Sequence, residues 1–242
     1  MSNTNEDNDE KVLLITGAST GIGAATARAA AKKGYRLALC ARSADKLEAL
    51  VREIGDDRAF AQRCDVTDFD DQQRMVAEVL DHFGRIDAVF ANAGTGGEPG
   101  GFSGAPVASW KKMVDVNILG VAFTLRATLK EVKKRRGHVV LTGSVAGRRT
   151  LAGSMYSATK WAVSAIGYGL REEIKGSGVR VTLLEPGMVD TPFFDEPKPD
   201  ALSSDDIARA VVYALTQPAH VDVHELMVLP TPPEDDANNG RD

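Results

Sequence analysis

Along residues 11–231, short runs of apolar residues alternate with longer segments whose apolar positions recur every three or four residues. Residues 11–16, 35–41, 59–64, 86–91, 138–142, 179–184 and 223–229 read as strands. Residues 21–33, 43–54, 68–83, 106–136, 155–175 and 204–216 read as helices, with Ser43 as the N-cap of the second. The long 106–136 segment is expected to bend or break near Asn117 and Gly120. Such alternation predicts an α/β fold, with a mostly parallel seven-stranded sheet covered by helices on both faces. Right-handed crossovers make a single doubly wound domain the leading topology. The polar ends, 1–10 and 232–242, are expected to be disordered tails.

Composition changes this picture little. The chain has 242 residues, 43% hydrophobic and 26% charged, as expected of a globular domain. Its net charge of -5 gives no footprint for nucleic acid. The basic run Lys133-Lys134-Arg135-Arg136 fits a helix end, where cations meet the negative end of the dipole. No apolar stretch reaches membrane-spanning length, and the acidic start is no export signal, so a cytoplasmic location is expected. Cys40 and Cys64 lie in apolar stretches without C-x-x-C spacing and read as buried hydrophobes. The pair His220 and His224 sits in a strand-like alternation, and no metal site is expected.

Chemistry begins at Thr16-Gly17-Ala18-Ser19-Thr20-Gly21-Ile22-Gly23, which joins the first strand to the first helix. Glycines at such a turn let a pyrophosphate approach the backbone at a helix N-terminus. The second strand ends Ala41-Arg42-Ser43, without the carboxylate that binds the ribose 2′-hydroxyl of NAD. Arg42 offers a fork for a 2′-phosphate and Ser43 a hydroxyl, which favours NADP(H) over NAD(H). Asp65, followed by Val66 after the third strand, is placed to receive the adenine amino group or to cap a turn.

Ser144 follows the fifth strand, at the edge where such sheets bind ligands. Tyr156 and Lys160, at i and i+4, share a helix face. A nearby ammonium favours the phenolate and lowers a phenol that otherwise titrates near pH 10. The order of the glycine turn, Asn92-Ala93-Gly94, Asn117, Ser144 and Tyr156-x-x-x-Lys160 resembles the short-chain dehydrogenase/reductase family in its one-domain, Rossmann-type form. The likeness spans about residues 11–229. It implies that Tyr156 is the acid/base, that Lys160 holds the nicotinamide ribose and lowers the phenol, and that Ser144 orients the carbonyl. It further implies that Asn117 holds a relay water. Asn92, Ala93 and Gly94 would support the sheet and the adenosine side. Pro186, Gly187, Val189 and Thr191 match a loop that bonds the carboxamide, through the Val189 backbone and the Thr191 hydroxyl.

Three positions depart from the family pattern. Thr20 stands where many NADP-preferring members carry a basic residue, Gly143 replaces the first of a serine pair, and the end from Leu226 to Pro233 lacks a Gly-rich tract. The expected activity is hydride transfer between nicotinamide and a small-molecule carbonyl or alcohol. A 3-oxoacyl-carrier-protein reductase is the alternative, with Arg148 and Arg149 available to an acidic partner. A catalytically silent NADP-sensing regulator would be expected to have lost Tyr156 or Lys160. Two loops, 95–104 and 190–200, the latter with Phe193 and Phe194, are expected to shape the substrate pocket. Trp161, Ala162, Ala165, Ile166, Gly169 and Leu170 exceed one sheet-facing stripe, which predicts a homodimer or homotetramer.

Overall fold

The computed structural model describes residues 10–231. Seven strands form one sheet, β1 (Val12–Thr16), β2 (Arg36–Ala41), β3 (Ala59–Arg63), β4 (Ala88–Ala91), β5 (His138–Thr142), β6 (Arg180–Pro186) and β9 (Glu225–Val228). Their order is β3-β2-β1-β4-β5-β6-β9, and every pairing is parallel. A two-stranded ribbon, β7 (Val189–Asp190) with β8 (Leu202–Ser203), stands outside it and was not expected. It brackets the 190–200 loop. Both tail expectations fall outside the described residues, except at Glu10, whose carboxylate accepts from Arg58 at 3.1 Å.

The helices are α1 (Gly21–Ala31), α2 (Ala44–Ile54), α3 (Phe69–Phe83), α4 (Gly101–Gly104), α5 (Val107–Val114), α6 (Gly120–Lys134), α7 (Met155–Glu173) and α8 (Ser204–Thr216). The expected break in the 106–136 helix is a π-helical turn over Asp115–Leu119, centred on Asn117. Side chains of Asp68, Ser154 and Ser203 cap α3, α7 and α8 by accepting first-turn amides. Ser43 caps α2 by position only, since its side chain makes no capping bond.

Alternation along the strands explains the two helical layers. Val12 and Leu14 of β1 join one buried cluster with Met75, Val89, Val139, Val163 and Leu183. Leu13 and Ile15 point the other way, into a cluster with Leu37, Phe90, Val140 and Ile207. Cys40 and Cys64 are buried and free, packed in the first cluster. On α7, Leu170 belongs to that same core and Ile166 packs against it, so these two of the six apolar positions face the sheet. Trp161, Ala165 and Tyr168 stay exposed.

His138, 2% exposed, opens β5 with Nε2 bonded to the Thr182 hydroxyl at 2.8 Å and Nδ1 unpartnered. Burial pushes its imidazole down to about 3. A histidine held neutral in the fold stabilises it fully above its unfolded value, near 6.5, and that stability is lost as pH falls toward 3. Between pH 6.5 and 5 the chain is therefore expected to lose roughly 2 kcal/mol of unfolding free energy. Urea titrations across that window check it, and His138→Leu should flatten the slope.

Candidate active site

Sheet order places β1 between β2 and β4, so connections from β1 and β4 leave toward opposite faces and open a crevice at the C-terminal edge. Every strongly featured segment of the sequence ends there. Gly17 has φ +67°, and a Cβ on it would lie 2.8 Å from Ala93 Cα. A Cβ on Gly23 would lie 2.3 Å from the Gly17 carbonyl oxygen, so the turn tolerates only hydrogen at both positions. Asn92 holds the turn in place: its Nδ2 donates to the Thr16 and Gly17 carbonyls at 3.2 and 3.3 Å. The Thr16 hydroxyl accepts from the Asn92 and Ala93 amides at 3.1 and 3.2 Å, a role nothing in the sequence pattern signals.

Thr20 begins α1 without a side-chain cap, and no acidic residue occupies the helix's first turn. Its leading amides and positive dipole end are thus uncapped by the protein's own side chains at the floor of the cleft. The cleft, of about 420 Å³, is lined by Gly17, Ser19, Thr20, Gly21, Ile22, Arg42, Ser43, Asp65, Val66, Asn92, Ala93 and Gly94 at one end. Ser144, Tyr156, Lys160, Pro186, Gly187, Val189, Thr191, Phe193 and Phe194 line the other. A glycine cradle beside an uncapped helix start, continuing to a basic group after β2, fits the phosphates and adenosine of a dinucleotide. Asp65 is less free than expected, since its Oδ1 accepts from the Thr67 amide and hydroxyl at 3.0 and 2.8 Å and braces its own turn.

The π turn buries Asn117, 1% exposed, against the 95 loop. Its Nδ2 donates to the Thr95 carbonyl at 2.9 Å and the Thr159 hydroxyl at 3.0 Å, while Oδ1 accepts from the Thr95 amide at 2.8 Å. The carboxamide is therefore a brace between the β4 loop and α7. Tertiary packing supplied partners that the resemblance, with its relay water, did not anticipate. A Cβ on Gly94 would lie 3.5 Å from Asn117 Oδ1 and 3.7 Å from Lys160 Nζ, so the three residues meet at one point.

Lys160, 4% exposed, donates from Nζ to the Thr142 carbonyl at 2.8 Å, and burial lowers its ammonium to about 8. Nζ is 5.7 Å from the Tyr156 ring centroid. Burial pushes the Tyr156 phenol up, and the Ser144 hydroxyl beside it pulls it partway back. Ser144, rather than Lys160, is thus the group that opposes burial at the phenol here, because the ammonium is turned to Thr142. Ser144 itself caps a short 3-10 turn, accepting from the Ala146 amide at 3.1 Å.

Behind that turn lies a cluster absent from the sequence reading. Glu185, 1% exposed near the end of β6, accepts from Arg148 Nε at 2.6 Å and faces Ser164 Oγ at 3.4 Å. Arg148 Nη2 also donates to Tyr168 Oη at 2.7 Å and to Glu225 at 2.8 Å. Arg148 is therefore only partly solvated, and Glu185 and Glu225 already pair its guanidinium. A glutamate inside the apolar run of β6 was the available signal, since a buried carboxylate requires a cation.

The cleft thus carries a glycine cradle at one end and a serine, a phenol and a lysine at the other. A family model described as short chain dehydrogenase matches residues 11–201. An uncharacterised oxidoreductase of Staphylococcus haemolyticus is 40% identical over 225 residues, covering 91% of this chain and 97% of the relative. Among solved structures, an alcohol dehydrogenase of the archaeon Thermococcus sibiricus, complexed with 5-hydroxy-NADP, is 38% identical with a TM-score of 0.87, covering 93% of this chain and all of that one. A 3-ketoacyl-(acyl-carrier-protein) reductase of Brucella melitensis, complexed with NADH, is 28% identical with a TM-score of 0.85, covering 91% and 97%. The chain belongs to the short-chain dehydrogenase/reductase family and is an oxidoreductase.

Proposed function

We propose that this chain is an NADP(H)-dependent oxidoreductase that interconverts a small-molecule ketone or aldehyde with its alcohol. In reduction, a carbonyl compound, NADPH and one proton become the alcohol and NADP+. What carries the reading is the convergence of Ser144, Tyr156 and Lys160 at the inner end of a cleft floored by the Gly17–Gly23 cradle. Bound nicotinamide supplies or receives the hydride. Tyr156 donates its phenolic proton to the substrate oxygen, or takes it back from the alcohol. Ser144, whose hydroxyl lies beside the phenol, holds that oxygen by a second hydrogen bond. Lys160, freed from Thr142, would hold the ribose and place its charge beside the phenol, while Val189 and Thr191 flank the nicotinamide end.

Arg42 and Ser43 at the end of β2, with no carboxylate there, support a preference for NADPH. The 5-hydroxy-NADP in the archaeal alcohol dehydrogenase agrees in type, whereas the carrier-protein reductase was solved with NADH. Steady-state comparison of the two cofactors tests the assignment. Arg42→Ala is expected to raise the KM for NADPH by about ten- to a hundredfold, for a lost charge-assisted contact of roughly 1.5–3 kcal/mol, and to leave NADH nearly unchanged. Equal efficiencies in the parent protein would refute it. The exposed Trp161, Ala165 and Tyr168 of α7 support a homodimer at least, which sedimentation at low micromolar concentration checks.

A further inference from the structure

Beside Tyr156 the cleft lining is aromatic. Phe193 and Phe194 supply it, with Thr95 and Pro192 also in the lining. Phe193 lies with its ring centroid 5.8 Å from that of Tyr156, tilted 60°, and 5.3 Å from that of Phe194. A Cβ on Gly96 would stand 3.0 Å from Phe193 Cζ, so the bare glycine admits the ring between the 95–104 loop and the phenol. Phe193 is nonetheless 44% exposed, an aromatic face at the mouth of the cleft with room for another apolar group.

Charged side chains are few in the lining. Among the described residues, the charged side chains lining the cleft are Arg42, Asp65, Lys112 and Lys160. Arg42 and Asp65 follow β2 and β3, at the far end. Lys112 stands on α5 one turn before Val116, and Lys160 is the cation beneath the phenol. Arg148, the nearest arginine to Ser144 in sequence, is held by Glu185 and Glu225. Arg149 is exposed and outside the lining. Lys198 comes nearest on the loop itself, with Nζ 5.6 Å from the Phe194 ring centroid, also outside the lining. A carboxylate beside Phe193 would lose water against an aromatic face, an unfavourable exchange, and Arg148, already held by Glu185 and Glu225, cannot offset it.

We propose, resting on the carbonyl-reductase reading above, that the substrate is an uncharged aryl or extended alkyl carbonyl compound seated against Phe193, and not an oxo acid or a carrier-bound acyl group. Phe193 is then the residue that sets this specificity, while the oxygen of the substrate meets Ser144 and Tyr156.

The test uses the full chain with NADPH and four probes: acetophenone, butanone, 3-oxobutanoate and a 3-oxoacyl thioester, with the alcohol products separated chromatographically. The expected result is a kcat/KM for acetophenone at least tenfold above those for the oxo acid and thioester. Phe193→Ala should raise the acetophenone KM roughly tenfold or more and leave that for butanone within about threefold. Calorimetric titration of acetophenone into NADP+-saturated protein gives the same comparison without turnover. Preference for 3-oxobutanoate or the thioester overturns the proposal, most directly if Lys198→Met removes it. Unchanged acetophenone affinity in Phe193→Ala overturns it as well. If no probe is reduced, the carbonyl-reductase reading itself fails, while the calorimetric ranking of acetophenone against 3-oxobutanoate still decides the character of the pocket.

Discussion

Tyr156→Phe is expected to lower turnover by roughly two to four orders of magnitude while leaving dinucleotide affinity near that of the parent. The substitution removes one oxygen and keeps the ring, so its packing against Phe193 at 5.8 Å and its place in the first turn of α7 persist. Stopped-flow NADPH oxidation and fluorescence titration of NADPH separate the two effects. A loss smaller than tenfold would mean that another group moves the proton. Direction of reaction gives a second handle. Burial raises the phenol above its ordinary value, so the protonated acid needed for carbonyl reduction is present throughout the neutral range. Alcohol oxidation needs the phenolate and should climb as pH rises. Because Ser144 pulls the phenol down, Ser144→Ala should move that climb to higher pH, which a pH series of oxidation rates reads directly.

Arg148→Met should destabilise the chain by about 3–5 kcal/mol, the cost of leaving a buried carboxylate without its cation. Glu185 is already raised by burial and is drawn down chiefly by its bond to Arg148. Removing Arg148 therefore raises it further. A carboxyl whose folded value stands above its unfolded one contributes stability below the unfolded value and loses it as pH rises through the folded one. The variant's deficit should accordingly be larger at pH 8 than at pH 5. Converting both partners, Arg148→Met with Glu185→Leu, should restore much of the loss, because no buried charge remains. Denaturant titrations at both pH values check this, and a double variant no better than Arg148→Met would remove the pair's assigned role. The Ser144 turn leads directly into Arg148, and Gly143 donates to the Leu184 carbonyl at 2.7 Å beside Glu185. Turnover in the double variant then reports whether the pair also keeps Ser144 in register.

Residue order already carried the α/β alternation, the parallel sheet, the glycine turn and the Tyr156–Lys160 spacing. Each depends on local periodicity or on a backbone constraint within a few residues: one stripe per helix, β1 alternating between two cores, glycine where no Cβ fits. Helix α8 runs over Ser204–Thr216 as read, because its Ser203–Asp206 capping box is itself a local signal. Even the break at Asn117 was visible as a weak point in an overlong helix, although its π-helical form was not.

What the sequence left open are partnerships between residues distant along the chain. Asn117 stands 22 residues from Thr95 and 42 from Thr159, and only the packed α7 shows that its amide is committed to both. Arg148 looks like a solvent cation in sequence; 37 residues on, Glu185 claims it, because folding buries a carboxylate that must be neutralised where it lies. Leu170 joins the core by the rotation of α7 on the sheet, which apolar counting along one helix does not fix. Local physics thus determined the elements and where along them the candidate residues fall. Tertiary structure alone decided which of those side chains still face the cleft, since a buried polar group takes whatever partner packing brings to it.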